Sequence, residues 1–494
     1  MWQGISPTRQ TVVQRDHLNT WRFVVPQFNI LPQEQVEALH HATLRILAET
    51  GVVLTHLTAR QILLEAGATV KGNRVLFPPE LVEKAIADAG KSVTIRGRGG
   101  TTKTLGDGHL YFHNLGGARD VFDAASGQIR RATLQDVRDA TRLLDALPNC
   151  HTITPFFTPC DVPGKLMSLA MYLHALPFTT KPLQGPGVQF PQEVRYAVRM
   201  AEVIGPASDV LTLSVSPVSP LSIPDHEAEA MIEIARHGIA FAPLPCPTAG
   251  TTAPFSLAGA LAQQNAEVLA ALVLAQVVRP GLPIIYCGRL AMMEPRTGIS
   301  VWGGVEMGLA SAGTVQIGHR YGLPVNVYGF STNAHSLDLQ SGFERGLNVL
   351  IPALAGADEL SGIGEMEAGV TGSYALMVAD NEFAGSVLRA RRGFVADEES
   401  LAVEVIAQVM DTTHNYLAQK HTGKFLKSGE ILLTKLAERG SWETWERGGR
   451  RGLAEQAQAE SERLLREHRV PPLEAAQERE LEVIFSAAEK ELLN

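Results

Sequence analysis

Within VYGFSTNAHSLDLQSGFE, Val327 to Glu344, an apolar run of strand type gives way to Ser331, Thr332, Asn333, His335, Asp338 and Gln340. Such groups at a strand end can hold a polar ligand and move a proton, or they can simply turn the chain and cap the next helix. Both readings stand for His335. Asn333 and Asp338 read equally well as turn and cap residues. Aromatic residues gather at comparable places: Phe156, Phe157, Tyr286, Tyr328 and Phe330, with Tyr374 on a following helix. Singly each is core; several faces around one mouth would form a box for a cation with no proton to donate. Cys160, Cys246 and Cys287 are candidate zinc thiolates, although their separations give no local ligand pair. Lys181, in TTKP, could form a Schiff base if desolvated, or it could pair with a carboxylate. Glu365, Glu367, Asp380 and Glu382 could bind magnesium, but ion pairs along a helix face explain them as well.

The elements that must position these residues are periodic. Apolar strand candidates begin at His151 (HTITPFFTP), Phe178 (FTTKPLQGPG), Leu211 (LTLSVSPVSP) and Gly238 (GIAFAPLPCPTAG). They continue at Leu282 (LPIIYCG), Leu323 (LPVNVYGFST) and Ala357 (ADELSGIGEM), with amphipathic helical segments between them. Near-continuous apolar strands alternating with helices predict a parallel sheet covered on both faces. A spacing of roughly 30–40 residues fits one strand, one helix and two loops. The polar, Pro- and Gly-rich strand ends favour a (β/α)8 TIM barrel, which carries its chemistry at those ends. An open doubly wound sheet is the alternative, but no GxGxxG follows a strand. Seven units are visible, and an eighth strand lies before His151 or after Glu367.

Four parts follow: an N-terminal helical region (1–92), a strand-rich segment and helix leading into the barrel (93–148), the barrel (149–396) and a C-terminal helical extension (397–494). HLYFHNLGGARDVFDAASGQIR reads as two short strand pairs, with Ser126-Gly127 as a turn. Trp442 and Trp445 are expected to anchor the extension against the barrel or a second subunit, and its long helices suggest a homo-oligomer.

The 494 residues suffice for a large core, and a net charge of −9 with no basic stripe argues against nucleic acid or an anionic membrane surface. The four cysteines lack CxxC spacing, which fits reduced thiols in a cytoplasmic protein. The start, MWQGISPTRQ, lacks the pattern of a secretory signal. Leu257 to Val278 is very apolar, yet Gln263, Gln264, Asn265 and Glu267 make it a core helix rather than a membrane span.

Pro247 to Tyr286, PTAGTTAPFSLAGALAQQNAEVLAALVLAQVVRPGLPIIY, resembles the signature region of the trimethylamine and quaternary-amine corrinoid methyltransferases. FSTNAHSLDLQSGFE, TGSYALMVADNE, DVFDAASGQIRRATLQDVRDATRLLDAL and TTKP are similar to further blocks of that family, in the right order from Leu31 to Trp445. The resemblance implies a (β/α)8 barrel that passes a methyl group from an amine to the cobalt of a corrinoid on a separate protein. It also implies a methanogenesis-related branch of one-carbon metabolism. The archaeal trimethylamine enzymes carry pyrrolysine in a block resembling Thr332 to Gln340, and His335 occupies that position here. Family members without pyrrolysine resemble enzymes for quaternary amines such as glycine betaine. A quaternary nitrogen already carries its positive charge, so it leaves as a neutral amine without a general acid. After the seventh strand candidate, this chain has Leu360 and Ser361 where trimethylamine enzymes tend to have histidines.

What the resemblance implies for the site is a trimethylammonium held by Phe156, Tyr286, Tyr328 and Phe330, with Tyr374 and Ser361 nearby and His335 at the reacting position. A substrate carboxylate would take Arg289, His335, His113 or backbone amides as donors. The corrinoid (cobalamin) would arrive on its cognate protein, with no cofactor or metal bound permanently. Rival readings are a Schiff-base lyase using Lys181, a zinc-dependent methyltransferase using the cysteines, and a quaternary-amine-binding paralogue without catalysis.

Overall fold

The strand left unplaced by the sequence periodicity is Tyr111–Asn114, ahead of His151. In the computed structural model, which describes residues 14–15, 21–22, 28–412 and 414–493, it runs parallel to Glu359–Ile363, with Tyr111 opposite Glu359. The opening stretch Met1–Gln10 lies outside the described residues. Glu359–Ile363 pairs with Val325–Tyr328, and that strand with Tyr286–Gly288, both in parallel. Phe241 bridges to Ile284, and Ala240–Pro243 runs parallel to Thr212–Val215. The circuit continues through single bridges, Ser214 to Gly187 and Leu183 to Ile153. It closes where the His151 and Thr152 amides donate to the Phe112 carbonyl at 2.7 and 3.3 Å. Eight parallel segments thus return on themselves, starting at Tyr111 rather than at the expected boundary of 149. Segments 151–155 and 183–187 are the irregular arc. Pro155, Pro182 and Pro186 lack the amide a regular ladder needs.

A helix follows each segment: Leu134–Ala146, Met167–Ala175, Pro191–Glu202, Asp225–His237, Leu257–Val278, Val305–Arg320, Leu339–Leu354 and Tyr374–Arg392. Local sequence sets their starts. Thr133 and Asp136 form a reciprocal cap, Pro191 sits in a first turn, and the Asp338 carboxylate accepts from the Ser341 amide at 3.0 Å. Leu257–Val278 is, among the described residues, the helix long and apolar enough to cross a membrane, and 83% of its most apolar window is buried in the fold. Its polar groups are bonded there: Asn265 donates to the Tyr321 hydroxyl at 2.7 Å, and Glu267 accepts from the Leu221 amide at 2.9 Å.

Residues 93–105 form an antiparallel hairpin, Val93–Arg96 with Thr102–Leu105. Val93, Ile95 and Leu105 share one buried cluster with Tyr111, Ala240, Ala242, Ile285 and Cys287. The hairpin therefore stoppers the ring at the end where its strands begin. The second expected strand pair is a true hairpin, Asp120–Asp123 with Gln128–Arg131, turning at Gly127 with φ 69°. The N-terminal helices Gln33–Arg45, Leu57–Glu65 and Pro79–Asp88 are joined by a three-stranded antiparallel sheet that the sequence reading lacked.

The chain divides into two compact units, Phe28–Asn381 with Leu436–Asn494, and a second containing Glu382–Lys435. The C-terminal extension is thus not one piece. In the second unit, Arg389 donates to the Glu430 carbonyl at 2.7 Å. In the first, the C-terminal helices lie on the ring's helices: the Tyr196 hydroxyl donates to Glu491 at 2.7 Å, and His468 meets Asp145 at 2.8 Å. Trp442 and Trp445, the expected anchors, lie on the short helix Trp442–Arg447, with Trp442 64% exposed. Their rings pack on each other at 4.9 Å, and Trp445 donates to the Arg451 carbonyl.

Candidate active site

A cavity of about 340 Å³ lies inside the ring, and all eight segments contribute to its wall, from His113 on the first to Ser361 on the last. Its surface is rich in hydroxyls and amides, among them Thr154, Gln184, Thr212, Ser214 and Asn326. Strand alternation decides which side chains reach it. Ile285 and Cys287 face in, as do Asn326 and Tyr328; Tyr286 therefore faces the helices.

Glu359 organises the wall from behind. It is fully buried and accepts four hydrogen bonds: from Thr152 at 2.6 Å, from Gln184 at 2.9 and 3.1 Å, and from Asn326 at 2.6 Å. Multiple donors are what an ionised carboxylate needs in a dry interior. Arg289 is the matching cation. Its Nη1 donates to the Gly288 and Asn326 carbonyls, and its Nη2 to Asn326 Oδ1 and Ser361 Oγ. The guanidinium also stacks 4.6 Å from the Tyr328 ring centre, and Trp302 meets that ring edge-on at 5.5 Å.

These contacts fix the state of His113. Asn326 Oδ1 is used by Arg289, so its Nδ2 is the donor to both Glu359 and His113 Nε2, the latter at 2.9 Å. Nε2 is then the lone-pair nitrogen, and the proton sits on Nδ1. Burial pushes the imidazole below its usual range, against the pull of Glu359 and with the help of Arg289, so it is neutral at pH 7. Nδ1 is buried beside the Asn114 backbone and makes no well-formed hydrogen bond among the described residues.

His113, Arg289, Tyr328 and Ser361 line the cavity as expected of site residues; the other expected contacts do not. The Tyr286 hydroxyl meets Asn265 Oδ1 at 2.8 Å on the helix side. Phe156 packs on Phe157 at 4.5 Å and lies under Gly364 and Gly372. Phe330 packs on Phe112 at 5.7 Å. The Tyr374 hydroxyl donates to Asp136 at 2.9 Å. Among the described residues no aromatic box forms, and the one phenol or phenyl face at the cavity, Tyr328, is already covered by Arg289.

Lys181 is not at the cavity either. Its Nζ donates to the Leu144, Leu147 and Cys150 carbonyls at 2.9, 2.6 and 2.8 Å, closing the C-terminal end of helix Leu134–Ala146. Lys181→Met is expected to cost about 1–3 kcal/mol of stability by stranding these carbonyls, and to leave activity per folded molecule unchanged. Denaturant unfolding checks the first half, and turnover normalised to folded protein checks the second. Among the described residues no group of three or more His, Cys, Asp or Glu side chains could hold a metal ion. Of the expected magnesium carboxylates, Glu365 and Asp380 share one buried region with Arg345, whereas Glu367 accepts from Thr371 Oγ1.

Sequence reasoning missed Gln184, Asn326 and Glu359. For Asn326 and Glu359 the signal was present, since each has the parity of a neighbour read as functional, whereas Gln184 has no such neighbour. Asn326 is two residues before Tyr328, and Glu359 two before Ser361.

The model of the trimethylamine methyltransferase (MTTB) family matches residues 5–492. The chain belongs to that family. Among MTTB relatives, the trimethylamine methyltransferase MttB of Desulfitobacterium hafniense (strain DSM 10664 / DCB-2) is 30% identical over 89% of this chain and 90% of its own. A glycine betaine methyltransferase of D. hafniense (strain Y51) is 29% identical over 85% and 89%. The fold is similar to that of the Methanosarcina barkeri monomethylamine methyltransferase (MtmB), with a TM-score of 0.51 and 15% identity over 90% of both chains. In this MTTB chain the block Thr332 to Gln340 is knitted inward through other residues than His335. Thr332 Oγ1 and the Asn333 amide donate to Glu344 at 2.6 and 2.9 Å, and Asn333 Oδ1 accepts from the Trp302 and Gly303 amides at 2.7 Å each. The His335 side chain is 79% exposed, 3.8 Å from Glu367, and lies outside the cavity.

Proposed function

We propose that this chain is a (β/α)8-barrel methyltransferase that moves a methyl group from a quaternary amine to the Co(I) of a corrinoid carried by a partner protein. Membership of the MTTB family and relatives acting on trimethylamine and glycine betaine support the reading. The observation that carries it is a small cavity organised by one buried carboxylate, Glu359, and one guanidinium, Arg289. Opposite charges linked through Asn326, behind a wall of hydroxyls and amides, suit a small zwitterion.

A cavity of about 340 Å³ matches a small amine and is too small to enclose a corrin macrocycle. On this reading the corrinoid would stay on its carrier and supply the nucleophilic cobalt at the mouth. The C–N bond of the bound amine breaks, its electron pair stays on nitrogen, and the methyl group passes to cobalt. The protein's part is to orient the N-methyl group and exclude water. The Arg289 Nη hydrogens are engaged within the protein, so we assign a substrate carboxylate to His113, which lines the cavity; its buried Nδ1, beside the Asn114 backbone, must turn towards the ligand to donate. His113→Ala is expected to weaken glycine betaine about 10- to 100-fold, the worth of one charge-assisted hydrogen bond. Tetramethylammonium, which has no acceptor, should lose little; equal loss for both removes the assignment.

Mixing the protein with chemically reduced cob(I)alamin and a panel of N-methylated amines tests the reaction. Methylcobalamin formed with a quaternary amine and not with trimethylamine is the expected result. The exposure of His335 favours a second reading, a quaternary-amine-binding paralogue without catalysis. That protein would bind the same amines calorimetrically and form no methylcobalamin, even with its corrinoid partner.

A further inference from the structure

The cavity has two unlike sides. Its ionisable liners, His113, Cys287, Arg289 and Tyr328, stand on the strands joined by parallel ladders or directly beyond their ends, and the liners between 154 and 244 include no ionisable group. On that uncharged side, three liners come from the helix behind the ring rather than from the ring itself: Met167, Ser168 and Met171, on Met167–Ala175. In a regular barrel the strands' own side chains fill the interior and the helices stay outside it. Here the helix reaches inward, because segments 151–155 and 183–187 meet through the single bridge of Ile153 to Leu183 and Gly187 has no side chain to fill the space.

The opening is built rather than frayed. The Ser168 hydroxyl donates to the Gly187 carbonyl at 2.9 Å and ties the helix to the segment. Met167 and Met171, one turn apart, share a helix face. A Cβ added at Gly187 would meet only Ser214 Oγ, at 3.8 Å, so the backbone there borders open space. Its φ lies outside the left-handed region, so the backbone does not require a glycine. Size agrees: about 340 Å³ is more than twice the roughly 150 Å³ that holds a benzene molecule in a protein interior. Tetramethylammonium would leave much of it unfilled.

We propose that the recess bounded by Met167, Met171 and Gly187 is a subsite for an uncharged hydrocarbon arm on the quaternary nitrogen, and that these residues set how long the arm can be. This rests on the amine-methyltransferase reading of the cavity. Thioether side chains are apolar, polarisable and turn about three bonds, so they close around arms of different shape. The Ser168 hydroxyl already has its acceptor and asks nothing of the guest. Each methylene that enters leaves water for an apolar wall, which tightens binding about fourfold until the recess is full.

The test is calorimetric titration of alkyltrimethylammonium ions, from tetramethyl to hexyltrimethyl, into the full chain. The head is constant, none carries an acceptor, and only the arm varies. Affinity should rise about fourfold per added methylene up to a limiting length and then level or fall. Gly187→Val fills the recess and should shorten the limit, lowering the ratio of butyl to tetramethyl affinity by about tenfold or more, the worth of two methylenes. Met171→Ala enlarges the recess and should lengthen the limit, raising the ratio of hexyl to butyl affinity. Met171→Leu, close in volume, should leave the limit in place. Ratios taken within one variant cancel any loss of folded protein. A flat series in the wild type, or a limit that does not move in opposite directions in Gly187→Val and Met171→Ala, overturns this inference alone. Failure of every quaternary amine to bind the wild type overturns the proposed function, and this inference with it.

Discussion

Arg345→Met is expected to lower folding stability by about 3–5 kcal/mol at pH 8, the cost of stripping a buried ion pair of one partner. Arg345 and Asp380 are both fully buried and 2.8 Å apart, and Glu365 shares the same cation. The substitution leaves Asp380 without its ion-pair partner and Glu365 with only Arg289 among cations to oppose its rise, and both can escape by taking up protons. Both already sit high in the native protein: burial raises Asp380 to about 6 and Glu365 to about 7, with Arg345 restraining each. A carboxyl whose folded value exceeds its unfolded value binds more protons in the native state, so stability is fullest in acid and is lost as pH rises through the folded value. Wild-type stability should therefore fall between pH 5 and pH 8, by up to about 3 kcal/mol for a single carboxyl raised this far. Removing Arg345 raises both groups further, so the variant's deficit should be smaller at pH 5 than at pH 8. Denaturant unfolding at the two pH values measures this, and an equal deficit at both would assign the loss to packing. Adding Asp380→Leu should recover part of it, because an apolar pair of similar volume avoids the buried charge.

Glu359→Gln is expected to weaken quaternary-amine binding by about 100-fold, close to 3 kcal/mol, with a smaller loss of about 1–3 kcal/mol in stability. The shape is kept, but the new amide points a donor at Gln184 or Asn326, which donate to the carboxylate at 2.9 and 2.6 Å. If Asn326 turns over to relieve this, it withdraws the Oδ1 that Arg289 uses and the donor that fixes the His113 tautomer. Arg289 also loses its counter-charge, leaving the cavity positive and hostile to a cation. Calorimetric affinity and denaturant unfolding should be read together. An unchanged dissociation constant in a fully folded variant would show that Glu359 serves only the architecture. Glu359→Asp keeps the charge with a shorter reach and should fall between the two.

The ring was legible because its strands are apolar, evenly spaced and punctuated by Pro and Gly. Tyr111–Asn114 was hidden in a glycine-rich stretch that also makes a hairpin, and parallel pairing with a strand about 250 residues later leaves no local trace. At the site, parity separates what sequence could and could not give. Tyr286 and Tyr328 look alike at strand ends, yet only Tyr328 has the inward parity, and counting alternate residues from Asn326 would have found it. The engagement of Arg289 was not legible, since Asn326 and Ser361 reach it from other strands. Nor was the turning of His335 to solvent, because the block around it is fastened by Glu344 and by the 302–303 amides.

The irregular arc of the ring divides labour around the circumference. The charged framework of Arg289, Asn326 and Glu359 stands on strands joined by parallel ladders. Across from it, 151–155 and 183–187 are held by single bridges and interrupted by proline, yet Thr154, Pro155 and Gly185 to Gly187 still shape the wall. That side can be re-cut by substitution with little strain passed to the other. Divergence in amine preference within such a barrel has, in this arc, a place to accumulate while the electrostatics stay constant.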